Sequence, residues 1–510
     1  MFHKTLAITI ALVLLTAGLV PMVSAAPAAQ DYLLCTTAPL SADQVDQLKA
    51  AGATVRYVYQ NFEGAAISMP PGQIADVQAL PFVLEVSDDM AGEAAAYGAT
   101  AAAIAPLPDG RAPFWLDLID AEKNTTYDGS GVWVAVLDTG FYPNWRDYFD
   151  EDSILTEYAT AFVGANATLN ENRWDGAFWP HGMAVAATII GFHLQDGLNE
   201  GNYGGQGPLD LTGYLTGAAG EYYVPGIAPG AKIIPVRVAG NRQVMASDVF
   251  AGFDYIIGLK NAHPDQPIVI NYSDALPKNL LMKAAMDRTI QAGIIVVAAA
   301  GNAGVAGMMW PAAYEPLISA GSGGWTGQWN GYPDKTWWLD DVPENGVSEI
   351  FVSRFSSRPR PGFQYLDVLA PGQQMVVPYP CPNLVSENLG NCSGRADPDG
   401  EKAAPFTYIF GNGTSFSSPM VAGIVALMLD KNPSLNNSDA TYGSLADPAS
   451  WGPGTVERLL ESAATQIPPG TVVFINSAGV SSSTTWDANA TGAGWVFVDA
   501  VLAAVPEPAP

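Results

Sequence analysis

Basic residues are scarce in this chain of 510 residues. It holds 22 Lys and Arg against 50 Asp and Glu, which gives a formal net charge of −28. Phosphate binding needs clusters of Lys and Arg, and the sequence shows none, so nucleic-acid binding is excluded. The acidic balance suits an exported protein that must stay soluble and favours divalent cations, but it does not identify a substrate.

Cysteine is also scarce, with three residues in the chain. The sequence has no Cys-x-x-Cys motif and no cluster of His and Cys, so a zinc site is not expected. Cys381 and Cys392 flank a polar loop, and a disulfide between them would close this exposed loop. Cys35 is left over, near the start of the expected mature sequence.

Long apolar runs are missing after the N-terminus, where none approaches the roughly 18 residues that a membrane span needs. At the N-terminus, Lys4 precedes an apolar segment over residues 6–20, and small residues come before Ala26. This pattern predicts a secretory signal peptide over residues 1–25 and a secreted protein, extracellular or at the cell surface. An uncleaved membrane anchor is the alternative.

What remains is the composition of an ordinary globular protein, with 48% hydrophobic and 14% charged residues and enough length for two folded units. Residues 31–89 contain predicted strands and two predicted helices, which indicates a small α+β unit. From residue 90 to about residue 111 the chain is rich in Ala, Gly and Pro and cannot form a core. This segment is predicted to be a linker, either a plain spacer or a processing site.

Beyond the linker, short apolar strands alternate with longer helical patterns. We predict strands at 132–137, 232–238, 267–273, 294–300 and 365–370, and helices near 182–190, 246–260 and 279–292. Near-continuous apolar strands alternating with helices predict a parallel sheet covered on both faces, with the chemistry at the carboxyl ends of its strands. Three segments rich in Gly, Asn and Trp are predicted to be surface insertions: 192–224, 321–350 and 380–404.

Polar residues stand at three junctions of this pattern. Asp138 in "VWVAVLDTG" and Asn302 in "IIVVAAAGNAG" follow buried strands, although each taken alone is also explained as a turn residue. Ser415 lies in "GNGTSFSSPMVAG", at a bend before a helix predicted to open at Ser418 and Pro419. A hydroxyl at a helix N-terminus has N–H donors nearby, which suits a nucleophile whose product carries an oxyanion.

Histidine is rare enough to be judged by elimination, with four residues in the chain. His3 falls in the signal peptide, and His193 and His263 lie in polar connections typical of solvated loop histidines. His181 in "WPHGMAVAATIIG" follows a proline at the first turn of an apolar helix, where it can face a cleft. His181 is therefore the expected base, if the chain has one.

Together these residues occur in the order Asp, His, Ser, one of the chain orders known for catalytic triads. The motifs "VLDTG", "HGMAVAA", "AAAGNAG" and "GTSFSSPMVAG" resemble those of the subtilisin-family (subtilase) serine endopeptidases, and the likeness extends over residues 113–501. The resemblance implies an α/β class, with a subtilisin-like three-layer fold and a mostly parallel sheet. It also implies a preceding small α+β ferredoxin-like propeptide domain.

The resemblance implies a domain plan for a self-processing precursor. Residues 1–25 would be the signal peptide, 26–89 an inhibitory propeptide that aids folding, 90–112 a linker with the processing site, 113–503 the catalytic domain, and 504–510 a Pro-rich tail. The implied partners are protein or peptide substrates and the chain's own propeptide. No nucleic acid and, after signal cleavage, no membrane is expected, and the enzyme is expected to be a monomer.

The catalytic roles follow from the same resemblance. Ser415 would attack the peptide carbonyl, and His181 would take its proton and later give it to the leaving amine. Asp138 would orient His181, and Asn302 would stabilise the oxyanion together with the backbone N–H of Ser415. No cofactor is required for this chemistry.

The resemblance also implies further sites. Substrate-binding residues are expected at Ser273, Asp274, Ala275, Ala300 and Gly301, and because Asp274 replaces a usually apolar pocket residue, a preference for bulky apolar side chains cannot be assumed. Asp147 falls where many relatives place a calcium ligand, with a solvated surface Asp as the alternative. Loss of Cys35 with the propeptide would leave Cys381 and Cys392 as the one pair in the mature enzyme.

Several departures from the family pattern leave alternatives open. Met183, Ala184 and Ala187 follow His181 where the family usually has Thr, His and Gly. Ser418 and Met420 likewise replace the commoner Ala and His after the serine. A catalytically inactive relative that binds or sits at a surface is the first alternative. An esterase-like hydrolase does not fit, because no histidine follows Ser415. Acid-active relatives with Glu for His are disfavoured by His181, although Glu171 leaves unusual pH optima open.

Overall fold

The computed structural model describes residues 28–93, 112–163, 173–177, 179–195, 221–240, 243–328, 346–362, 364–378, 408–475 and 481–508. The predicted signal peptide and the predicted Cys381–Cys392 disulfide lie outside these residues. Within them, a small antiparallel unit precedes a large α/β domain. No helix in this part of the chain is both long enough and apolar enough to span a membrane.

The N-terminal unit is a four-stranded antiparallel sheet in the order β2-β3-β1-β4, with two helices. Its elements are β1 (Gln30–Thr36), α1 (Ala42–Ala50), β2 (Thr54–Val58), β3 (Gly64–Met69), α2 (Ile74–Gln78) and β4 (Val83–Asp88). A capping box starts α1, because the Ser41 hydroxyl accepts the N–H of Gln44 while the Gln44 side chain accepts the N–H of Ser41. The unit has a core of its own around Leu34, Leu48 and Ile67.

The start of the predicted linker is a strand rather than an irregular segment. β5 (Ala91–Glu93) pairs antiparallel with a strand of the large domain, Gln243–Met245. The composition of the linker hides this strand, because its backbone bonds are made to a distant part of the chain. The remainder of the linker, 94–111, lies outside the described residues.

The large domain supplies the remaining strands. They are β6 (Trp133–Asp138), β7 (Thr160–Ala161), β8 (Gly191–Gln195), β9 (Glu221–Pro225), β10 (Lys232–Arg237), β11 (Gln243–Met245), β12 (Ile268–Tyr272), β13 (Ile295–Ala299), β14 (Ile318–Trp325), β15 (Ile350–Val352), β16 (Val368–Pro371), β17 (Gln373–Pro378), β18 (Tyr408–Asn412), β19 (Gly470–Ile475) and β20 (Ser481–Trp486). The central sheet runs β15-β14-β13-β12-β6-β10-β7, with β16 beside β14. All its pairs are parallel except β14–β15.

Helices cover both faces of this sheet. They are α3 (Phe114–Asp117), α4 (His181–Ile190), α5 (Ala246–Ala262), α6 (Leu280–Gln291), α7 (Thr414–Lys431), α8 (Thr455–Ala463) and α9 (Val498–Ala504). Val134 and Val136 of β6 belong to the hydrophobic core of α4 and α7, whereas Ala135 and Leu137 belong to that of α5 and α6. This alternation is the two-residue period of a strand buried on both sides, and it produces three layers.

The predicted strands and helices of the core are present, with boundaries shifted by a few residues. Two of the predicted insertions also begin with regular structure, because residue 192 lies in the β8–β9 hairpin and residue 321 in β14. The helix after Ser415 differs most. It begins at Thr414 rather than at Ser418, so Ser415 lies in its first turn and Pro419 lies inside it.

Candidate active site

Asp138 ends β6 at the carboxyl edge of the central sheet and is fully buried. Its Oδ1 accepts the N–H of Thr139 at 2.6 Å, which holds the carboxylate at the start of the turn. Gly140 continues the turn with φ of 80°, and a side chain there would clash with the carbonyl oxygen of Trp174. The Asp-Thr-Gly sequence thus produces a tight turn that leaves the carboxylate facing helix α4.

His181 is the first residue of α4 and meets this carboxylate. Its Nδ1 lies 2.9 Å from both Oδ atoms of Asp138. The helix start is tied to the same turn, since the N–H of Gly182 donates to Thr139 Oγ1 at 3.0 Å. Burial lowers the pKa of His181, but the charge and hydrogen bond of Asp138, together with the charge of Asp274, outweigh burial and raise it.

Ser415 lies in the first turn of α7, where the helix dipole favours negative charge. Its hydroxyl donates to the carbonyl of Ser273 at 3.4 Å. The Nε2 atom of His181 is buried and has no hydrogen-bond partner among the described residues. The Asp–His pair is therefore formed in this conformation, while the Ser–His hydrogen bond is not, as is common in structures without substrate.

Pro419 explains a second contact of Ser415. Proline has no N–H, so the carbonyl of Ser415, four residues earlier, cannot accept the usual helical bond from that position. The Ser273 hydroxyl donates to this carbonyl at 3.2 Å instead. Behind it, Ser418 Oγ donates to Asn271 Oδ1 at 2.6 Å, and Asn271 Nδ2 donates to Ser273 Oγ at 3.0 Å. A buried chain of side chains therefore fixes the position of the serine backbone.

Asn302 follows β13 and reaches the same helix start. Its Oδ1 accepts the N–H and the hydroxyl of Thr414, at 2.9 and 3.0 Å. Thr414 Oγ1 also accepts the N–H of Gly301 at 3.1 Å. These bonds occupy the acceptor end of the amide, so Nδ2 is the end that can donate to an oxygen beside Ser415.

The expected substrate-binding residues fall into two groups. Ser273, Asp274 and Ala275 directly follow β12 and are buried, and Ser273 bonds to Ser415. The backbones of Ala300 and Gly301 bond within the domain. Ala300 pairs with residues 309 and 320, and the carbonyl of Gly301 accepts the N–H of residue 357. The first group contacts the nucleophile through Ser273, whereas the second supports the loop of Asn302.

The sequence did not point to Thr139, Thr414, Asn271 or Ser418 as site residues. Each acts through a hydrogen bond to a residue far away in the chain, as the Thr414–Asn302 pair shows across 112 positions. Their presence beside the predicted catalytic residues in the motifs was the one available signal. The structure thus adds a supporting set of hydroxyl and amide groups to the predicted four.

Two places in the domain carry acidic side chains that could bind a metal ion. Asp147 lies in a short 3-10 turn, and in the described part of the chain it belongs to no close group of three or more metal-ligating side chains. Asp367, Glu457 and Glu461 do form such a group, with one oxygen from each within 4.8 Å of the others. Oε1 of Glu457 is buried without a hydrogen-bond partner. Carboxylate oxygens are the ligands that Ca²⁺ prefers, so this group fits a cation better than Asp147 does.

Comparison with known proteins agrees with this geometry. The sequence profile of the subtilase family matches residues 129–490. Serine protease AprX of Bacillus subtilis (strain 168) is 27% identical over 324 residues, which cover 61% of this chain and 59% of AprX. Subtilisin DY of Bacillus licheniformis is 26% identical over 357 residues, which cover 68% of this chain and 96% of that protein.

Among solved structures, fervidolysin of Fervidobacterium pennivorans, a keratinolytic enzyme related to subtilisin, superposes with a TM-score of 0.57. It is 20% identical, and the match covers 95% of this chain and 62% of fervidolysin, so it supports the fold. This chain thus spans about three fifths of the length of AprX and of fervidolysin. The predicted three-layer α/β class is confirmed, and the profile covers the strands and helices that carry all four predicted catalytic residues. The chain belongs to the subtilase family of serine endopeptidases.

Proposed function

We propose that this protein is a secreted endopeptidase that cleaves protein and peptide substrates through Asp138, His181 and Ser415, and that it is made as a self-processing precursor. The observation that carries the proposal is the convergence of three elements. The carboxyl end of β6 presents Asp138, the start of α4 presents His181 bonded to it, and α7 presents Ser415 in its first turn. An acid, a base and a nucleophile so arranged can transfer an acyl group.

The reaction would begin with a rotation of the Ser415 hydroxyl from the carbonyl of Ser273 towards Nε2 of His181. His181 would take the hydroxyl proton as Oγ attacks the substrate carbonyl, and would give that proton to the leaving amine as the acyl-enzyme forms. Asp138 would hold Nδ1 of His181 and stabilise the imidazolium that exists between these two proton transfers. Water would then release the acyl group by the same steps, with no cofactor.

The oxyanion of each tetrahedral intermediate would lie between Nδ2 of Asn302 and the N–H of Ser415. Thr414 supports this assignment, because it binds the opposite end of the Asn302 amide. Fixed donors aimed at a developing charge act without reorganisation. Loss of one such donor costs about 2.7–4 kcal/mol of transition-state stabilisation in a subtilisin, a relative of this chain.

We propose that residues 26–89 are the propeptide, and the contacts of the segment that directly follows them support an inhibitory role. Strand β5 adds to β11, and Gly92 lies so close to the backbone of Ala275 that a side chain there would clash. The segment that leaves the unit therefore runs beside the strand end that carries Ser273 and Asp274. A substrate chain would need the same place.

A folding role is supported by the way this unit covers α5 and α6. Cys35 and Phe62 belong to the same hydrophobic core as Leu281 of α6. Asp89 accepts the N–H of Ser247 at 3.0 Å, in the first turn of α5, and Glu85 accepts the N–H of the first residue of α6 at 2.8 Å. Carboxylates at helix N-termini satisfy unpaired N–H groups and the helix dipole, so the unit stabilises both helices.

The first test is the mass of the secreted protein for the wild type and for Ser415→Ala. Ser462→Ala serves as a matched control, because Ser462 is an exposed serine of α8. Wild type and control should lose the residues up to a bond within 90–112 and react with a fluorophosphonate probe. Ser415→Ala should keep the N-terminal unit and remain unlabelled.

Other outcomes would separate the alternatives. If all three proteins are trimmed alike, another protease does the cutting and self-processing is wrong. If wild type is folded but neither trimmed nor labelled, the inactive-relative alternative is correct. That alternative has one observation in its favour, namely that the Ser415 hydroxyl bonds to Ser273 rather than to His181.

We also propose that a structural Ca²⁺ binds at Asp367, Glu457 and Glu461. Asp367 and Glu457 are almost fully buried, and the described residues bring no Lys or Arg into an ion pair with any of the three carboxylates. Asp367 accepts two hydrogen bonds from Ser319, but buried negative charges without a counter-charge are costly, so the group needs a cation or protons. Asp147 stays a weaker candidate, because the described residues gather no other acidic ligands around it.

A further inference from the structure

The indole of Trp179 lies against the imidazole of His181. Their ring centroids are 5.1 Å apart, and the ring planes are inclined by only 29°. Trp179 is partly exposed, whereas His181 is fully buried. The indole therefore lies between part of the solvent and the histidine ring.

The local sequence restricts the backbone between the two rings. Pro180 stands between the two residues and is the N-cap of α4, with φ of −85°. A proline ring allows little variation of φ, so the backbone of Trp179 is held close to the start of the helix. The stack of Trp179 on His181 is therefore built into the chain at the start of α4.

The orientation of the His181 ring depends on the side chains that pack against its two faces. Both carboxylate oxygens of Asp138 reach the same ring atom, Nδ1, so hydrogen bonding fixes one corner of the ring. Nε2 has no hydrogen-bond partner in the described part of the chain. The second aromatic neighbour, Phe416, is farther away and more tilted, at 6.2 Å and 46°. Trp179 is the closer and more nearly parallel of the two surfaces.

The stack also bears on the charge of His181. The ring becomes an imidazolium when it takes the proton of Ser415, and the faces of aromatic rings attract cations. The charged groups that act on it are Asp138, through the hydrogen bond, and Asp274, through its charge. An indole face adds a favourable contact for the cation without adding a further charge or a competing hydrogen-bond acceptor for Nε2.

We propose that Trp179 is a positioning residue for His181. Its indole sets the tilt of the imidazole so that Nε2 faces Ser415, keeps water away from Nε2, and favours the imidazolium that forms during the reaction. The proposal rests on the function proposed above, because it concerns the same proton transfer. It adds no bond-making step and assigns Trp179 no direct contact with the reacting atoms.

The test compares Trp179→Phe with Trp179→Leu in the secreted enzyme, with kcat counted per site labelled by a fluorophosphonate. Phe keeps an aromatic face, whereas Leu keeps apolar cover without one. Leu should lower kcat by about tenfold to a hundredfold with little change in KM, because a small misplacement of a catalytic group costs that much. Phe should restore most of kcat.

The pH profile supplies a readout that a merely structural role would not move. For Trp179→Leu, the acid limb of kcat/KM should shift to lower pH, because the imidazolium loses a favourable neighbour, and Trp179→Phe should keep the wild-type limb. Thermal unfolding of both variants in a Ser415→Ala background should give similar melting temperatures.

Three results would overturn the proposal. Unchanged kcat and an unchanged acid limb in Trp179→Leu would mean that the indole packs against His181 without influencing its reactivity. A raised KM with unchanged kcat would make it a substrate contact. Equal damage in both variants, with equal loss of stability, would make it a packing residue. If the wild type itself is inactive, the proposed function fails, so that failure is distinguishable from the failure of this inference.

Discussion

The charge state of His181 decides at which pH the proposed reaction can run. The histidine must be neutral to accept the proton of Ser415, and its pKa is raised by Asp138 and Asp274 despite burial. Activity should therefore rise with pH as His181 loses its proton at this raised pKa. The linked stability has the opposite sign. It is present below the pKa of the unfolded chain and is lost as pH rises through the folded pKa.

Asp274 offers a direct test of this electrostatic argument. Asp274→Asn removes a buried charge that acts on His181 but leaves the Asp138 hydrogen bond in place, so the pKa of His181 should fall. The acid limb of kcat/KM should move to lower pH, and the variant should exceed the wild type in relative activity at the acid end. Asp265→Asn, in an exposed loop, is the matched control and should not move the limb.

Residues of the candidate site differed in how far the sequence could predict them. Asp138, His181, Asn302 and Ser415 stand in short motifs at strand ends or helix starts, so local pattern and chain order were enough to select them. Thr414 and Trp179 were not selected, because their roles depend on the partner side chain that folding brings to them. The present direction of the Ser415 hydroxyl, towards Ser273, likewise depends on tertiary contacts.

At the scale of the elements, α7 shows why a helix start was misplaced. Proline usually occupies the first turn of a helix, and this preference predicted an opening at Pro419. The helix starts at Thr414 instead, and it tolerates an internal proline because the Ser273 hydroxyl donates to the carbonyl that Pro419, which lacks an N–H, cannot bond. Sequence preference was overridden here by a hydrogen bond from another element.

This explanation predicts coupling between Ser273 and Pro419. Ser273→Ala should destabilise the fold by about 1–3 kcal/mol, because it removes a hydrogen bond to the buried carbonyl of Ser415. In a Pro419→Ala background the new N–H can bond that carbonyl, so the same substitution should cost less. A double-mutant cycle of chemical unfolding, carried out in Ser415→Ala protein to prevent autolysis, measures the difference. Additive effects would contradict the explanation.

The carboxylate group joins α8 to the residue before β16 and makes a prediction at the same scale. Burial raises the pKa of Asp367 and of Glu457, so without a cation these groups hold protons at low pH. The contribution of these protonated groups to folding stability would then be lost as pH rises above their unfolded pKa values towards the raised pKa values of the folded protein. A bound Ca²⁺ removes this penalty by balancing the ionised forms.

Thermal unfolding of Ser415→Ala protein near neutral pH should therefore depend on Ca²⁺. A free concentration of about 100 times the Kd contributes about 2.7 kcal/mol. Glu457→Gln should remove most of the Ca²⁺ effect, whereas Asp447→Asn, an exposed acidic residue elsewhere, should keep it. If Glu457→Gln leaves the Ca²⁺ response intact and only flattens the pH dependence, the group holds protons rather than a metal ion.

At the scale of the whole molecule, the sequence predicted two units and the class of each, because hydrophobic period and turn residues are local signals. It did not predict that β5 pairs with β11, or that one face of the small sheet shares a hydrophobic core with α5 and α6. Such contacts join residues about 160 to 225 positions apart, as Asp89–Ser247 and Glu63–Arg288 do. No local pattern encodes them.

The reactivity of Cys35 can show whether the N-terminal unit is docked on α5 and α6. Cys35 lies in the shared core, and burial, followed by the charges of Glu85 and Glu63, raises the pKa of its thiol to about 11. A buried thiol with a raised pKa is almost entirely protonated at pH 8 and reacts slowly with thiol reagents. Release of the N-terminal unit would expose the sheet face that carries Cys35 and return the thiol to ordinary reactivity.

The expected outcome is a thiol that becomes reactive only when the unit leaves. In Ser415→Ala protein, where the unit should stay attached, Cys35 should react slowly with a maleimide. In the wild type, the released fragment should carry the label at a rate that follows processing. Cys35→Ser controls for Cys381 and Cys392, since any label left in that variant belongs to them. Rapid labelling of Cys35 in the uncleaved protein would mean that the unit does not stay docked, and the inhibitory role proposed for it would then fail.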